Sequence, residues 1–185
     1  MQPRALRHSL WAAFALLACA LAAGAAHADG SIEYAVKGAY LYKMLPFVEW
    51  PATVFPAPNS PVTICIVGHD PFGAALDKAV ADQHVGAHPI AVHRNAAPGD
   101  TTCQAVFISF AGDGTGVQAL QAFDGRPVLT VTDSGGPAQG IVSFVIDQNH
   151  VRFDINDAEA GRDGLTISSK LLSLARKVQP RKAGP

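Results

Sequence analysis

The segment of this chain best placed to do chemistry is Gly68-His69-Asp70-Pro71-Phe72-Gly73, directly after the apolar run Val62-Thr63-Ile64-Cys65-Ile66-Val67. A glycine turn leading from the carboxyl end of a strand into a helix is where α/β sheets hold ligands, because unpaired backbone N–H groups face the bound group there. Gly68, Asp70 and Gly73 are therefore the ligand-binding candidates. Neither the dinucleotide fingerprint nor the phosphate pattern G-x-x-x-x-G-K-[ST] is present, since Ala74-Ala75 follow Gly73. The plainer reading is a turn in which Asp70 caps a helix opened by Pro71 and running to Val80.

Other chemistries find less support. His84 and His88 have the four-residue spacing that sets two metal ligands on one helix face, but Gly86 and Pro89 break a helix there, so both read as loop histidines. Nucleophilic catalysis asks for a Ser or Cys on a strained turn beside a base. No G-x-S-x-G occurs, and Ser134-Gly135-Gly136 after Asp133 reads as a flexible connection. Without paired carboxylates or a metal cluster, no catalytic residue, metal ligand or cofactor is expected.

Cysteine chemistry depends on the compartment. Arg4, Arg7 and His8 form a basic start, Leu10 to about Ala23 is apolar, and Ala26-His27-Ala28 is an A-x-A cleavage site before Asp29. The apolar run is shorter than the ~20 residues a spanning helix needs. Residues 1–28 thus read as a cleaved signal peptide. The alternative is lipidation at Cys19, since Leu16-Leu17-Ala18-Cys19 resembles a lipobox. Residues 29–180 would form one domain and 181–185 a flexible tail. Of the 14 Lys and Arg, Arg4 and Arg7 leave with the leader, so the 15 Asp and Glu are in excess by three. A mildly acidic domain is not built for nucleic acid. Cys65 and Cys103 remain in a compartment that permits disulfides. One bridge is the natural reading, two free buried thiols the alternative. The bridge would close a loop of about 39 residues, giving roughly 4 kcal/mol in the chain-entropy model. No C-x-x-C is present to suggest a redox centre or zinc knuckle.

The elements that must position these residues follow from periodicity. Ser31 can cap a helix from Ile32 to Leu45, ended by Pro46, with Glu33 and Lys37 spaced to pair. Ile32, Ala35, Val36, Ala39 and Tyr42 make one apolar stripe, and Tyr34, Leu41, Leu45 and Val48 a second, so two faces require cover. Residues 62–67 read as a strand buried on both faces. Further strands are predicted at Ala87–His93, Gln104–Phe110, Pro127–Thr132, Gly140–Ile146 and His150–Ile155, with a helix at Gly116–Phe123. Asp147-Gln148-Asn149-His150 is a hairpin turn between strands, the second of which has one wet face. Asn156 or Asp157 can cap a helix to Gly161. Ser168-Ser169 can cap a terminal helix carrying Leu171, Leu172, Leu174, Ala175 and Val178, with Arg176 and Lys177 in its last turn. The fold class is α/β: a single Rossmann-like three-layer domain with a mixed central sheet, a C-terminal β-hairpin and flanking helices.

Four stretches resemble the YfiR/HmsC-type periplasmic regulators. They are residues 33–37 through Phe47-Val48-Glu49-Trp50-Pro51; Ile64-Cys65-Ile66-Val67-Gly68 with Asp70-Pro71-Phe72-Gly73; Gly125 to Val131; and Val151-Arg152-Phe153-Asp154-Ile155-Asn156 through Ile167-Ser168-Ser169-Lys170-Leu171-Leu172. The resemblance implies a periplasmic protein that binds and represses the periplasmic sensor domain of an inner-membrane diguanylate cyclase, lowering cyclic di-GMP and biofilm formation. It also implies sequestration by an outer-membrane lipoprotein, and a homodimer is a further expectation. The family's structural disulfide falls on Cys65 and Cys103. Partner contacts would come from Phe144, Asp154, Ile155, Asn156, Ile167 and Lys170, and from a second group, Tyr34, Lys37 and Trp50. Ile155 and Ile167 read equally well as core. The alternative function is a periplasmic small-molecule binder using the turn at Gly68 to Gly73, and an uncharacterised hydrolase is the third.

Overall fold

The structure, a computed structural model, describes residues 32–111, 114–133 and 135–181. The expected signal peptide, Cys19, the Ser31 cap, Ser134 and the tail from 182 onward lie outside the described residues.

Helix α1 spans residues 32–44. Pro46 stops it by removing a backbone donor, and the chain tightens into a 3₁₀ turn, Leu45–Phe47. Strand β1 (Val48–Glu49) then pairs antiparallel with the later β9 (Thr166–Ile167) in a two-stranded ribbon. The main sheet begins with β2 (Val62–Val67), followed by α2 (Ala74–Val80), β3 (His84–Val85), β4 (His88–Arg94), β5 (Ala105–Ile108), α3 (Gly116–Gln121), β6 (Leu129–Asp133), β7 (Val142–Asp147) and β8 (His150–Asn156). After α4 (Asp157–Arg162), β9 and α5 (Ser169–Leu172), β10 (Lys177–Gln179) closes the chain of elements. The eight strands run in the order β10-β8-β7-β6-β5-β2-β4-β3. β4, β2, β5, β6 and β7 are parallel, β8 returns antiparallel to β7, and β10 lies parallel to β8.

Side-chain alternation along β2 and β5 divides the core in two. Ile64, Ile66 and Phe107 face a large cluster with Leu41, Met44 and Leu45 near α1, Leu76 and Val80 of α2, and Phe144, Phe153 and Leu171. Cys65, Val67, Val106 and Ile108 face a smaller one with Ala119 of α3, Phe123 and Val128. β2 and β5 are therefore the middle layer of three, which explains their unbroken β-branched and apolar runs. The Cys65–Cys103 disulfide, with Cα atoms 5.7 Å apart, lies in the smaller cluster.

Several expectations are corrected. α2 begins at Ala74, and its N-cap, Gly73, supplies no side-chain bond. Asp70 instead accepts from the N–H groups of Phe72 (2.8 Å) and Gly73 (3.3 Å), holding the turn before the helix. His84 and His88 sit on facing strands of a short hairpin rather than in loops. The largest departure is at the C-terminus, where the helix stops at Leu172 and Val178 lies in β10. β8 offers a free edge opposite Asp154–Asn156, and pairing there gives Lys177–Gln179 ladder bonds that helix continuation past exposed Leu174 could not better. Arg181, placed in the expected tail, is held by Asp157 and by the Leu165 carbonyl.

Candidate functional site

The chain leaves β2 through α2 to β4 on one side and later occupies the other side of β2 with β5. The carboxyl ends of β2 and β5 therefore flank the crevice where a doubly wound sheet binds ligands. Gly68 is there, at φ +81°, and a Cβ on it would come within 3.2 Å of the Ser109 carbonyl oxygen, so only glycine fits this close approach of two strand ends. Asp70 and Gly73 stand beside it, but their polar groups are already engaged. Arg94, paired in register with Ile66 at the end of β4, donates from Nε to Asp70 Oδ2 (2.7 Å), from Nη1 and Nη2 to Asp77 (2.9 and 2.8 Å), and from Nη2 to the Gly73 carbonyl (2.8 Å). Burial pulls the Asp70 carboxyl upward, but the Arg94 bond and the two backbone N–H groups outweigh it and hold Asp70 below the usual carboxylate range. The turn is thus a clamp from β4 onto the start of α2. Sequence reasoning missed Arg94, whose signal was an arginine closing a strand predicted to neighbour the Asp70 turn.

At the far end of the same sheet edge, α1 sends Lys37 inward. It is only 4% exposed. Its ammonium pairs with Glu33 one turn back and with Asp133 Oδ1 at 2.7 Å, and lies 4.5 Å from the centre of the Tyr34 ring. Tyr34 donates its hydroxyl to Asp133 Oδ2 at 2.9 Å. Burial first, then the Asp133 charge, push the Tyr34 hydroxyl well above the ordinary phenol range, so it stays a donor. Tyr34 and Lys37 therefore fasten α1 to the end of β6. Trp50 does a similar job at the opposite end of the sheet, where Nε1 donates to the Gln104 carbonyl (2.9 Å) just before β5. The three residues expected to share a patch are thus split between the two ends of the strands.

The C-terminal group also divides. Phe144, Ile155 and Ile167 are buried in the large cluster rather than presented at the surface. Asp154 and Asn156 are half-buried and Lys170 is exposed. Arg176 grips Asp154 through both oxygens (2.9 and 2.6 Å), and Asn156 caps α4 by accepting from the Glu159 N–H at 3.0 Å. Between them opens a polar cleft of about 220 Å³, lined also by Ser143, Lys177 and Gln179. Lys170 is exposed, its ammonium 5.5 Å from the Phe47 ring centre. Leu174, one turn on, is exposed as well.

His84 and His88 place a ring nitrogen near the Asp82 and Ser60 carbonyls (3.1 and 2.7 Å), and His88 stacks on Phe55. Among the described residues no group of three His, Cys, Asp or Glu is arranged to hold a metal ion, and no helix is long and apolar enough to cross a membrane. The arrangement offers surface for binding.

No curated protein matches the sequence. A family profile described as YfiR/HmsC-like does match, over residues 34–176. The matched span runs from the first turn of α1 to Arg176, and so takes in Lys37 and Asp133, the Arg94 clamp, the disulfide and the Asp154–Arg176 pair. With most of its length covered in this way, the chain belongs to the YfiR/HmsC-like family.

Proposed function

We propose that this protein is a periplasmic regulator that binds the periplasmic sensor domain of an inner-membrane diguanylate cyclase and represses it, so lowering cyclic di-GMP and biofilm formation. Family membership over residues 34–176 is the observation that carries the reading. The site geometry agrees with a binding role, because the Asp70 carboxylate and the Gly73 carbonyl of the turn after β2 are already held by the chain's own Arg94. The same engagement weighs against the small-molecule reading of Gly68, Asp70 and Gly73. An outer-membrane lipoprotein that sequesters the repressor belongs to the same reading.

The contact surface we assign is the C-terminal one. It offers the exposed Lys170 and Leu174 and the Asp154–Arg176 pair, apolar and charged groups of the kinds that protein interfaces combine. Phe144, Ile155 and Ile167 would support that surface from beneath.

Deleting the gene in its native host should raise cyclic di-GMP, and the intact gene supplied in trans should restore it. Lys170→Glu, at an exposed position, should fail to restore it while the purified variant keeps its circular dichroism and thermal midpoint. Unchanged cyclic di-GMP on deletion, with no cyclase co-purifying, would overturn the reading.

A further inference from the structure

The last strand is held by its ends more than by its length. β10 lies at the margin of the sheet and pairs with β8 through three residues, Lys177 opposite Asp154, Val178 opposite Ile155 and Gln179 opposite Asn156. Pro180, which has no N–H, cannot extend the ladder. Only Val178 is half-buried, whereas Lys177 and Gln179 are exposed along the polar cleft that Ser143 and Asn156 also line. Two arginines hold the segment in place. Before it, Arg176 forks onto both oxygens of Asp154. After it, Arg181 donates from Nε and Nη2 to the two oxygens of Asp157, at 3.0 Å each, and from Nη2 to the Leu165 carbonyl at 2.8 Å. The Arg181 side chain is 41% exposed, so water competes for it and the latch is weak.

The edge beneath is the better built of the two partners. β8 is fixed from its other side by β7 in an unbroken register, and Phe153 and Ile155 root it in the large cluster. Lifting residues 177–181 would therefore leave β8 standing, with open ladder groups along Asp154–Asn156 and with Asp157 stripped of its cation. Asp157 is only 7% exposed, and a carboxylate so poorly hydrated needs a replacement cation. That need keeps the segment closed when the protein is alone. An open strand edge takes up an extended peptide by main-chain hydrogen bonding, and the Asp157 carboxylate selects one that carries a basic side chain just beyond the paired residues. The chain's own Lys177 to Arg181 shows the pattern: three paired residues, then an arginine two positions on.

We propose that residues 177–181 are a displaceable strap, and that an extended segment of the partner with a basic side chain at the Arg181 position replaces it on the edge of β8. Arg176 stays on Asp154 as the hinge. The matched family span ends at Arg176, so the strap and its latch lie beyond it. For the partner's identity, a cyclase sensor domain, the proposal rests on the function given above; for the strap's behaviour it does not.

Hydrogen exchange of the purified full-length chain should show the amides of Lys177–Gln179 opening about a hundredfold more readily than those of β7. Arg181→Gln should speed that opening about tenfold with the thermal midpoint nearly retained, because the side chain is exposed. A fluorescent peptide of residues 177–183 should bind the Arg181→Gln chain about tenfold more tightly than the parent, and the same peptide carrying Gln in place of Arg181 should not bind. Asn156→Cys with Gln179→Cys, cross-strand neighbours, should lock the strap on oxidation; the locked chain should bind neither the peptide nor the sensor domain, and reduction of the new bridge should restore both. Protection of Lys177–Gln179 equal to that of β7, peptide binding indifferent to Arg181, or a locked chain that binds as the parent does would each overturn the proposal. If the peptide arm succeeds while no sensor domain binds the parent, the strap stands and the cyclase reading falls.

Discussion

Lys37 is buried with its charge, and its worth lies in what its removal leaves behind. Lys37→Ala would leave the half-buried Asp133 with the Tyr34 hydroxyl as its remaining side-chain partner among the described residues, a loss on the order of 2 kcal/mol in chemical denaturation. Adding Asp133→Asn should recover part of that loss, which a double-mutant cycle measures. Asp163 presents the opposite case. Burial, with help from the Glu159 and Asp124 charges, pushes its carboxyl above the ordinary value of 3.8 against the hydrogen bond it accepts from Gly125. Its folded pKa therefore exceeds its unfolded one, so its favourable contribution is present at acid pH and fades as pH rises through the folded pKa. Asp163→Asn keeps an oxygen for the Gly125 N–H and should raise the thermal midpoint at neutral pH, with the gain vanishing in acid. Asp70 was legible in the sequence as a turn former, since that bond is local. Its Arg94 partner was not, because it arrives from a neighbouring strand.

At the scale of elements, the disulfide ties β2 to the segment that leads into β5, across a sequence separation of 38. Replacing Cys65 and Cys103 together by alanine should lower stability by roughly 4 kcal/mol in the chain-entropy model, seen as an earlier denaturant midpoint. The β-hairpin needs no such tie. Gln148 and Asn149 adopt φ +47° and +62°, the two left-handed residues of a tight turn, between strands whose register runs unbroken from Asp147↔His150 to Val142↔Ile155. That turn could be read from sequence because its chemistry is local. β10 could not, because leucines 171 and 172 continue a helical pattern and only the open edge of β8 favours extending the chain.

For the whole molecule, repression should be separable from folding: Lys170→Glu, at an exposed position, should abolish repression while the variant keeps the parent's thermal midpoint, and a variant that loses both would place Lys170 in the fold rather than at the contact. Residue order and periodicity determined the α/β class, the buried strand at 62–67 and the hairpin, since each depends on spacing along the chain, whereas the expected cover on both apolar stripes of the first helix is found on one only. Tertiary structure alone decided that Arg94 clamps the Asp70 turn, that Phe144, Ile155 and Ile167 face inward, and that the outer stripe of α1 lies bare. Those outcomes depend on which distant elements come to lie side by side, and burial is a property of that neighbourhood, which one-dimensional spacing does not contain.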